Sequence, residues 1–417
     1  MPDQSVHTEP VDRTKPTGLA RFIPIMSWAP KYQREWLRPD VIAGVTVAAL
    51  VVPQALGYAR IAGVPIQHGL YAAAAGALIY ALFGTSRQIS TGPSSALAAV
   101  AAGALVTAGI SSGDEEAVAL VASITIATGL LFLLMAVFRM GWISQFLSKA
   151  VITGFLFGAA IEVVIGELPK LTGTEIEGSN AWQKLWSWFG SLSETDAVTL
   201  AVGVVSLLII FGLRFKAPKV PGALVLVVLG LLASVALDLG EEGVALIGDV
   251  PRGLPSITLP DLEFVRDNIA VIIPAAIGLL LIGFSQTAGD ARSFASKHRY
   301  RVDINQESVA QGMCNVGSGL VQGIPVSTSL SASSLADGSG AKTQMASMTT
   351  GQWELLTVNI RQPKITAMTK TVLAAIIIAA VVRGRMDVAE VRRLSRVVGR
   401  VLWRGVGGVG GGGGGGV

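Results

Sequence analysis

The feature that most constrains this chain is a long series of apolar segments separated by short loops. They lie near residues 41–59, 66–83, 93–109, 117–138, 148–168, 197–213, 221–237, 267–288, 305–322, 326–337 and 366–382, with a poorer candidate at 343–360. About 20 apolar residues cross a bilayer as one helix, and lipid offers no hydrogen bonds to an exposed backbone. The sequence therefore predicts an all-α, multi-pass membrane protein of about twelve segments.

The distribution of basic residues predicts how these segments are oriented. Lys and Arg cluster before the first segment and after even-numbered ones, for example Arg292, Lys297 and Arg299 after the eighth. Acidic residues follow most odd-numbered segments, as at 114–116. Because cytoplasmic loops are rich in Lys and Arg, we expect a cell-membrane protein whose polar N-terminal segment, residues 1–39, is cytoplasmic.

Composition argues against several functional classes. Only 14% of the residues are charged, the mean hydropathy is +0.59, and the net charge of +4 is spread between apolar segments, so no nucleic-acid partner is expected. The single cysteine, Cys314, and the three histidines show no metal-ligand spacing, and no nucleophile–base pattern emerges. We expect no metal, no cofactor and no enzymatic activity, and membrane lipid as a partner.

Two short motifs interrupt the apolar pattern. Residues 92–96 (Gly-Pro-Ser-Ser-Ala) open the third segment, and residues 323–329 (Gly-Ile-Pro-Val-Ser-Thr-Ser) open the tenth. Each motif predicts an extended, proline-fixed stretch followed by a hydroxyl-rich helix start. The two leading glycines are 231 positions apart, and Gln54 and Gln286 recur at nearly the same offset.

This repeat predicts an inverted arrangement, because an odd number of segments, seven, separates the corresponding elements. In transporters of this design, two half-helices meet near the bilayer midplane. Helix N-termini offer an anion free N–H donors and the positive end of the helix dipole. The repeat therefore favours an anion-binding site. The alternative interpretation is that proline and serine merely begin two short core helices.

Longer motifs add a family resemblance. The first half carries, in order, DVIAGVTVA at 40–48, VPQALGYA at 52–59, AGVP at 62–65, GLYA at 69–72 and YALFGTSRQ at 80–88. The second half carries Ala291-Arg292, Asn305-Gln306-Glu307, Ala310-Gln311-Gly312 and Asn315. These motifs resemble the signature of the SulP, or sulfate permease, family over about residues 20–350, and the resemblance resumes over 372–393.

The resemblance implies a fold and a substrate site. The fold has fourteen membrane segments in two inverted repeats of seven, with segments 1–4 and 8–11 forming a substrate-carrying core and segments 5–7 and 12–14 forming a gate. The substrate lies between the starts of the third and tenth segments, with further contacts from the first and eighth. The residues at these positions are Gln54, Tyr58, Ser94, Ser95, Ala96, Gln286, Ser327, Thr328 and Ser329.

Two positions depart from the family pattern. Members commonly carry an acid, tied to cation coupling, where Gln286 stands, and many carry an arginine where Ala332 stands. Asp290, one helical turn after Gln286, is the candidate coupling residue, because acids within membranes are costly and usually functional. The alternative is that Asp290 pairs with Arg292 at the cytoplasmic end. Coupling to H⁺ or Na⁺ is left open.

The end of the chain departs further. Where the family has an apolar eleventh segment, this chain has Glu354, Arg361 and other polar residues, so we expect a short, broken or displaced helix that is poorly folded near 343–365. Residues 40–398 form the predicted transmembrane domain and residues 399–417 a disordered glycine-rich tail. Segments 13 and 14 and the family's cytosolic STAS domain are expected to be absent, and transport is expected to be weak or silent.

The predicted function is secondary active transport or exchange of a small inorganic oxyanion, with sulfate as the leading substrate. Three alternatives stay open: a bicarbonate transporter of the same family, a nucleobase permease of similar fold, and a transport-incompetent, truncated membrane protein. A homodimer is also left open.

Overall fold

The computed structural model describes residues 22–145, 161, 164–174, 181–217, 222–246 and 253–359, together with 369, 371, 372, 374, 375 and 378. We number the helices by the predicted segments to which they correspond. They are α1 Arg34–Ile61, α2 Gln67–Phe83, α3 Ser95–Ala108, α4 Glu115–Val137, α5 164–172, α6 Ala197–Lys216, α7 Gly222–Ala236, α8 Ile269–His298, α9 Ile304–Leu320, α10 Leu330–Gly338 and α11 Met345–Asn359.

Shorter elements connect these helices. Two three-residue strands, β1 (Thr91–Pro93) and β2 (Val326–Thr328), precede α3 and α10. The short helices and helical turns are Ile25–Trp28, Ala29–Lys31, Met140–Gln145, Ala181–Gly190, Ser191–Glu194 and Leu262–Asp267.

Helix length separates spanning helices from half-helices. By length and composition, α1, α4 and α8 can each cross a membrane. In contrast, α3 has 14 residues and α10 has 9. Because a helix rises about 1.5 Å per residue, both are shorter than a hydrocarbon core of about 30 Å. The predicted broken segments are therefore present as a strand followed by a short helix.

The chain divides into two compact units. The first comprises Met1–Ser144 and Val250–Gln362 and contains α1–α4 and α8–α11. The second comprises Gln145–Asp249 and Pro363–Val417 and contains α5–α7. These two sets of helices are the ones that the family resemblance assigned to the core and the gate.

Close backbone contacts hold the first unit together. Where α4 crosses α9, a Cβ added to Gly129 would lie 2.7 Å from the carbonyl oxygen of Gly312 and 2.6 Å from the nitrogen of Val316. No larger side chain fits there. Small residues serve helix association in lipid, where apolar burial alone gives no preference for protein.

The second unit packs around α5, α6 and α7. A Cβ at Gly203 in α6 would lie 3.0 Å from the carbonyl oxygen of Leu171, so α5 and α6 approach closely. The short helix Ala181–Gly190 is fastened to α5 through Trp188, whose indole donates to Thr172 Oγ1 at 3.0 Å. Asp196 caps α6 by accepting from the Thr199 amide at 2.6 Å.

For the eleventh segment, the expectation of a short helix is confirmed, whereas the expectation of poor folding is wrong over the described residues 343–359. Helix α11 is short, with 15 residues, but it is continuous and packs against α1 and α2. Thr350 Oγ1 donates to the carbonyl oxygen of Gly44 at 3.0 Å, and Gln352 and Trp353 are exposed. The polar residues of this helix lie on two sides of it: Gln352 is on the exposed face, and Glu354 is fully buried in the interior.

Other predictions for the C-terminal part fall outside the described residues. They concern residues 360–365, most of the twelfth segment and the glycine-rich tail at 399–417. Within the described part, Leu246 and Thr369 form an isolated antiparallel bridge in the second unit.

Candidate functional site

The two interrupted segments meet at their strands. β1 and β2 pair antiparallel, with Thr91 opposite Thr328, Gly92 opposite Ser327 and Pro93 opposite Val326. The Ser329 amide extends the pairing by donating to the Ser90 carbonyl oxygen at 3.0 Å. The halves of the sequence repeat are therefore joined directly by backbone hydrogen bonds.

Both half-helices begin immediately after these strands at a serine cap. Ser94 is extended (φ −134°, ψ 149°), and its hydroxyl accepts from the Leu97 amide at 3.4 Å. Ser329 is also extended (φ −116°, ψ 109°), and its hydroxyl accepts from the Ala332 amide at 3.3 Å. A serine N-cap satisfies one of the helix's first N–H groups and leaves others available. Two positive helix ends thus start from one strand pair.

Helix α8 contributes polar side chains to β2. Gln286 Oε1 accepts from Ser327 Oγ at 2.5 Å, and Asp290 Oδ2 accepts from Thr328 Oγ1 at 2.8 Å. All four side chains are buried. The prediction that Gln286 and Asp290 share one face of the eighth segment is confirmed, because both reach the same strand.

Gln286 retains an unused donor. Its side chain is 3% exposed, and the Nε2 amide has no hydrogen-bond partner among the residues that the structure describes. The neighbouring hydroxyl of Thr287, which is 1% exposed, is in the same condition. Leaving a buried polar group unpaired costs about 1–3 kcal/mol. An acceptor-rich ligand would remove that cost at Gln286.

Helix α1 borders the strand pair from another side. Gln54 and Tyr58, one turn apart, are both buried. Val51, one turn before Gln54, would lie 3.9 Å from a Cβ at Gly92 in β1. Ser95 is buried in the first turn of α3, and Ala96 beside it is partly exposed. The predicted residues of the first, third, eighth and tenth segments are thus all in the first unit.

Helix α9 supplies supports that the sequence did not assign to the site. Asn315 imitates a neighbouring strand: its Oδ1 accepts from the Val326 amide at 3.0 Å, and its Nδ2 donates to the Val326 carbonyl at 2.9 Å. Gln311 Nε2 donates to Thr91 Oγ1 at 3.0 Å. Both residues lie in motifs that carried the family resemblance. Gln and Asn side chains within an apolar segment were the sequence feature that could have indicated their role at the site.

Comparison with known proteins decides the family. The Sulfate permease family matches residues 37–400. The chain belongs to the sulfate permease family. The family consists of transporters, so the prediction that the chain is not an enzyme is confirmed.

Individual relatives agree with this family. The chain is 36% identical over 385 residues to a protein named "Probable sulfate transporter" from Mycobacterium tuberculosis, covering 90% of this chain and 68% of the relative. It is 29% identical to the Chloride anion exchanger of Rattus norvegicus, covering 92% of this chain and 54% of the exchanger. The chain therefore spans about half the length of that exchanger.

Solved structures show the same fold. The chain resembles the transmembrane domain of the cyanobacterial bicarbonate transporter BicA with a TM-score of 0.75 at 24% identity, covering 85% of this chain and 91% of that one. It resembles SLC26A9 with a TM-score of 0.78 at 22% identity, covering 91% of this chain and 62% of that one. The predicted inverted-repeat membrane fold is confirmed.

Proposed function

We propose that this chain binds a small inorganic oxyanion at the starts of α3 and α10 and moves it across the membrane by secondary active transport or exchange. The observation that carries the proposal is the antiparallel pair β1–β2, from which two serine-capped helices begin. Two helix N-termini and the unused amide of Gln286 supply N–H donors, and anions bind well at such positions.

Sulfate is the leading substrate. It has oxygen acceptors on every side and no proton at neutral pH, so it matches a site built from donors. The relative from Mycobacterium tuberculosis carries sulfate in its printed name. The site residues named above include no Lys or Arg, so backbone dipoles and neutral donors provide the attraction.

Bicarbonate is the second candidate, and Asp290 is the observation that favours it. Bicarbonate carries one O–H donor, and the Asp290 carboxylate near β2 is an acceptor that sulfate cannot use. The BicA structure shares the fold. A nucleobase is the third candidate, because permeases of similar design carry this class of substrate, and it is tested in the same uptake assay as the two anions.

The test removes single backbone donors without breaking a helix. Proline is tolerated at the first helical position, where it deletes one N–H group. That position is Ser95 in α3 and Leu330 in α10, and each follows an extended serine. Ser95→Pro and Leu330→Pro should each weaken sulfate binding about tenfold, the effect of roughly 1.4 kcal/mol.

The matched control is Ala197→Pro at the first position of α6, which also follows an extended cap. It should leave binding unchanged. Ser329→Pro is a poorer test, because the Ser329 amide already donates to the Ser90 carbonyl. If Ser95→Pro and Leu330→Pro bind sulfate as tightly as the control Ala197→Pro, the anion binds elsewhere.

Uptake of labelled sulfate, bicarbonate and uracil into proteoliposomes then ranks the substrates. Binding of sulfate without uptake would support the transport-incompetent alternative.

We propose further that the N-terminus is cytoplasmic and that the coupling ion, if any, is H⁺ or Na⁺. Labelling of a cysteine placed at residue 26 in sealed, inside-out vesicles tests the orientation, and crosslinking in liposomes tests for a homodimer.

A further inference from the structure

Glu354 of α11 is a buried acid outside the candidate anion site. Its side chain is 0% exposed, and neither carboxyl oxygen has a hydrogen-bond partner among the residues that the structure describes. Acids in the interior of membrane proteins are rare, and they pair with other groups or serve a function. An ionised carboxylate without a partner is strongly unfavourable in a low-dielectric interior.

The position of Glu354 follows from the direction of the neighbouring helices. Along α1, Asp40 contacts Thr343, and Gly44 contacts Thr349 and Thr350, so α1 and α11 run parallel. Along α2 the order is reversed: Gln344 donates to the carbonyl oxygen of Ser86, whereas a Cβ at Gly351 would lie 2.6 Å from Leu78 Cγ. Glu354 is therefore level with α1 beyond Gly44 and with α2 before Leu78.

These stretches of α1 and α2 are apolar. Between Asp40 and Tyr58, α1 has no titratable side chain, and between Tyr71 and Tyr80, α2 has none. Tyr71 donates to the Gly253 carbonyl at 3.0 Å and Tyr80 to Glu307 at 2.6 Å.

The other titratable groups of these helices are engaged or lie nearer their ends. Asp40 accepts from the Lys342 amide and from Thr343, and His68 Nδ1 lies 2.7 Å from the Gln322 carbonyl oxygen. On α1 the ends carry Arg34, Glu35, Arg38 and Arg60. Neither neighbouring helix therefore offers a cation at the level of Glu354.

We propose that Glu354 is a proton-binding site and that its carboxyl carries the proton in the arrangement of this structure. A proton is the neutralising ligand because a metal ion needs several ligands, and the described residues contain no cluster of three or more His, Cys, Asp or Glu side chains that could hold one. Binding forms one O–H bond and converts the carboxylate to the neutral acid, with no other reactant.

The proposed proton site at Glu354 is connected to the candidate anion site through α1 and α2. Helix α1 also carries Gln54 and Tyr58, and α2 touches β1, because a Cβ at Gly76 would lie 3.0 Å from the Thr91 carbonyl oxygen. A charge that appears on Glu354 must draw water or move these helices. Proton release at Glu354 therefore weakens the packing of the helices that support β1. This part of the inference rests on the proposed function.

The first experiment does not depend on transport. The full chain is purified in detergent, and its melting temperature is followed from about pH 5 to about pH 8. In this range the unfolded chain has already lost the Glu354 proton, since an unperturbed Glu carboxyl has a pKa of about 4.3, while the folded chain keeps it, so wild-type stability should fall as the pH rises. Glu354→Gln should lose this fall, and the exposed-acid control Glu116→Gln should keep it.

Infrared spectroscopy gives a second, direct measurement. The carbonyl stretch of a protonated carboxyl should be present in the wild-type chain at neutral pH and absent in Glu354→Gln. If the glutamine variant does not fold, Glu354→Met replaces it, since an apolar side chain suits the apolar surroundings. A wild-type spectrum without the band, or stabilisation of the wild type but not of the variants by Na⁺, overturns the proposal.

Transport supplies the arm that depends on the proposed function. Sulfate uptake by the wild type should change with external pH, and Glu354→Gln should make it independent of pH. If the infrared band is lost in the variant but uptake keeps its pH dependence, Glu354 binds a proton without coupling it to the anion. If the chain takes up no anion, the melting and infrared results still decide the proton site.

Discussion

At the scale of single residues, Gln286 offers a neutral donor to the candidate anion site. Its side chain is oriented by Ser327, whose hydroxyl donates to Gln286 Oε1, and Nε2 has no partner among the described residues. A glutamate at this position would place acceptors and a negative charge where the glutamine has donors. Under the proposed function, the identity of this residue should therefore affect anion affinity directly.

We expect Gln286→Glu to weaken sulfate binding more than Gln286→Met does. Methionine removes the donor at similar size, whereas glutamate also adds repulsion. A hydrogen bond to a charged group contributes about 1.5–3 kcal/mol, so the methionine variant should lose about tenfold or more in affinity. Calorimetry in detergent measures both, with Gln352→Met on the exposed face of α11 as control. Tighter binding by the glutamate variant would show that Gln286 does not face the anion.

Tyr300, in the loop between α8 and α9, fastens the chain that leads into β1. Its hydroxyl lies 2.5 Å from Ser86 Oγ and donates to Gln88 Oε1 at 3.2 Å. Burial raises the pKa of Tyr300 to about 12, whereas an unfolded chain has the ordinary value near 10.

The sign of this shift predicts an alkaline effect. The folded chain holds the phenol proton more tightly, so the stabilisation is complete below about pH 10 and is lost as the pH rises toward 12. Tyr300→Phe should cost about 1 kcal/mol at neutral pH through the lost hydrogen bonds. It should also reduce the loss of stability above about pH 10. Denaturation curves at several pH values check this, and parallel curves for the two proteins would contradict it.

At the scale of elements, the short helix Ala181–Gly190 has an exposed aromatic face. Trp182, Trp186 and Phe189 are spaced by four and three residues and are 74%, 81% and 54% exposed. Trp188 is partly buried and donates to Thr172 Oγ1. Aromatic residues concentrate at the boundary between lipid and water, and an amphipathic helix with such a face lies in that boundary.

We therefore expect Trp182 and Trp186 to contact lipid. Lipids brominated near the headgroup should quench part of the chain's tryptophan fluorescence, and the double variant Trp182→Phe, Trp186→Phe should lose most of that part. Trp188→Phe, the matched control, should keep it. The interfacial assignment fails if the double variant is quenched by the same fraction as the wild type.

At the scale of the whole molecule, the two halves of the first unit repeat with an offset of 235 positions. This number separates Ser94 from Ser329, and Arg34 from Ile269 at the starts of α1 and α8. The glycines suggested 231, because Gly323 lies three residues before β2 whereas Gly92 lies within β1. The strands and caps, rather than the glycines, are the equivalent positions.

Since the candidate anion site lies at the pairing of β1 and β2 from the two halves, anion binding there should stabilise the folded chain. A ligand that binds only the folded state adds about 2.7 kcal/mol at a concentration of 100 times its Kd. The melting temperature in detergent should therefore rise with sulfate at constant ionic strength, and gluconate should have no such effect. The Ser95→Pro variant should need about tenfold more sulfate for the same rise. An equal rise with both anions would indicate a general salt effect.

The sequence by itself determined the membrane class, the broken third and tenth segments and the helix-capping chemistry. These follow from local rules: apolar length, proline geometry and hydroxyls at helix starts act within a few residues. It also placed Gln286 and Asp290 on one helical face, because their spacing is fixed by the helix.

Only the tertiary structure decided which distant groups meet. Ser327 and Thr328 bind Gln286 and Asp290, and Asn315 holds β2, through contacts between elements whose separation the chain does not encode locally. Glu354 shows the same limit. Charge alone predicted a damaged eleventh helix, yet the free energy of a buried acid depends on what surrounds it. The apolar faces of α1 and α2 that pack against α11 are brought there by the fold.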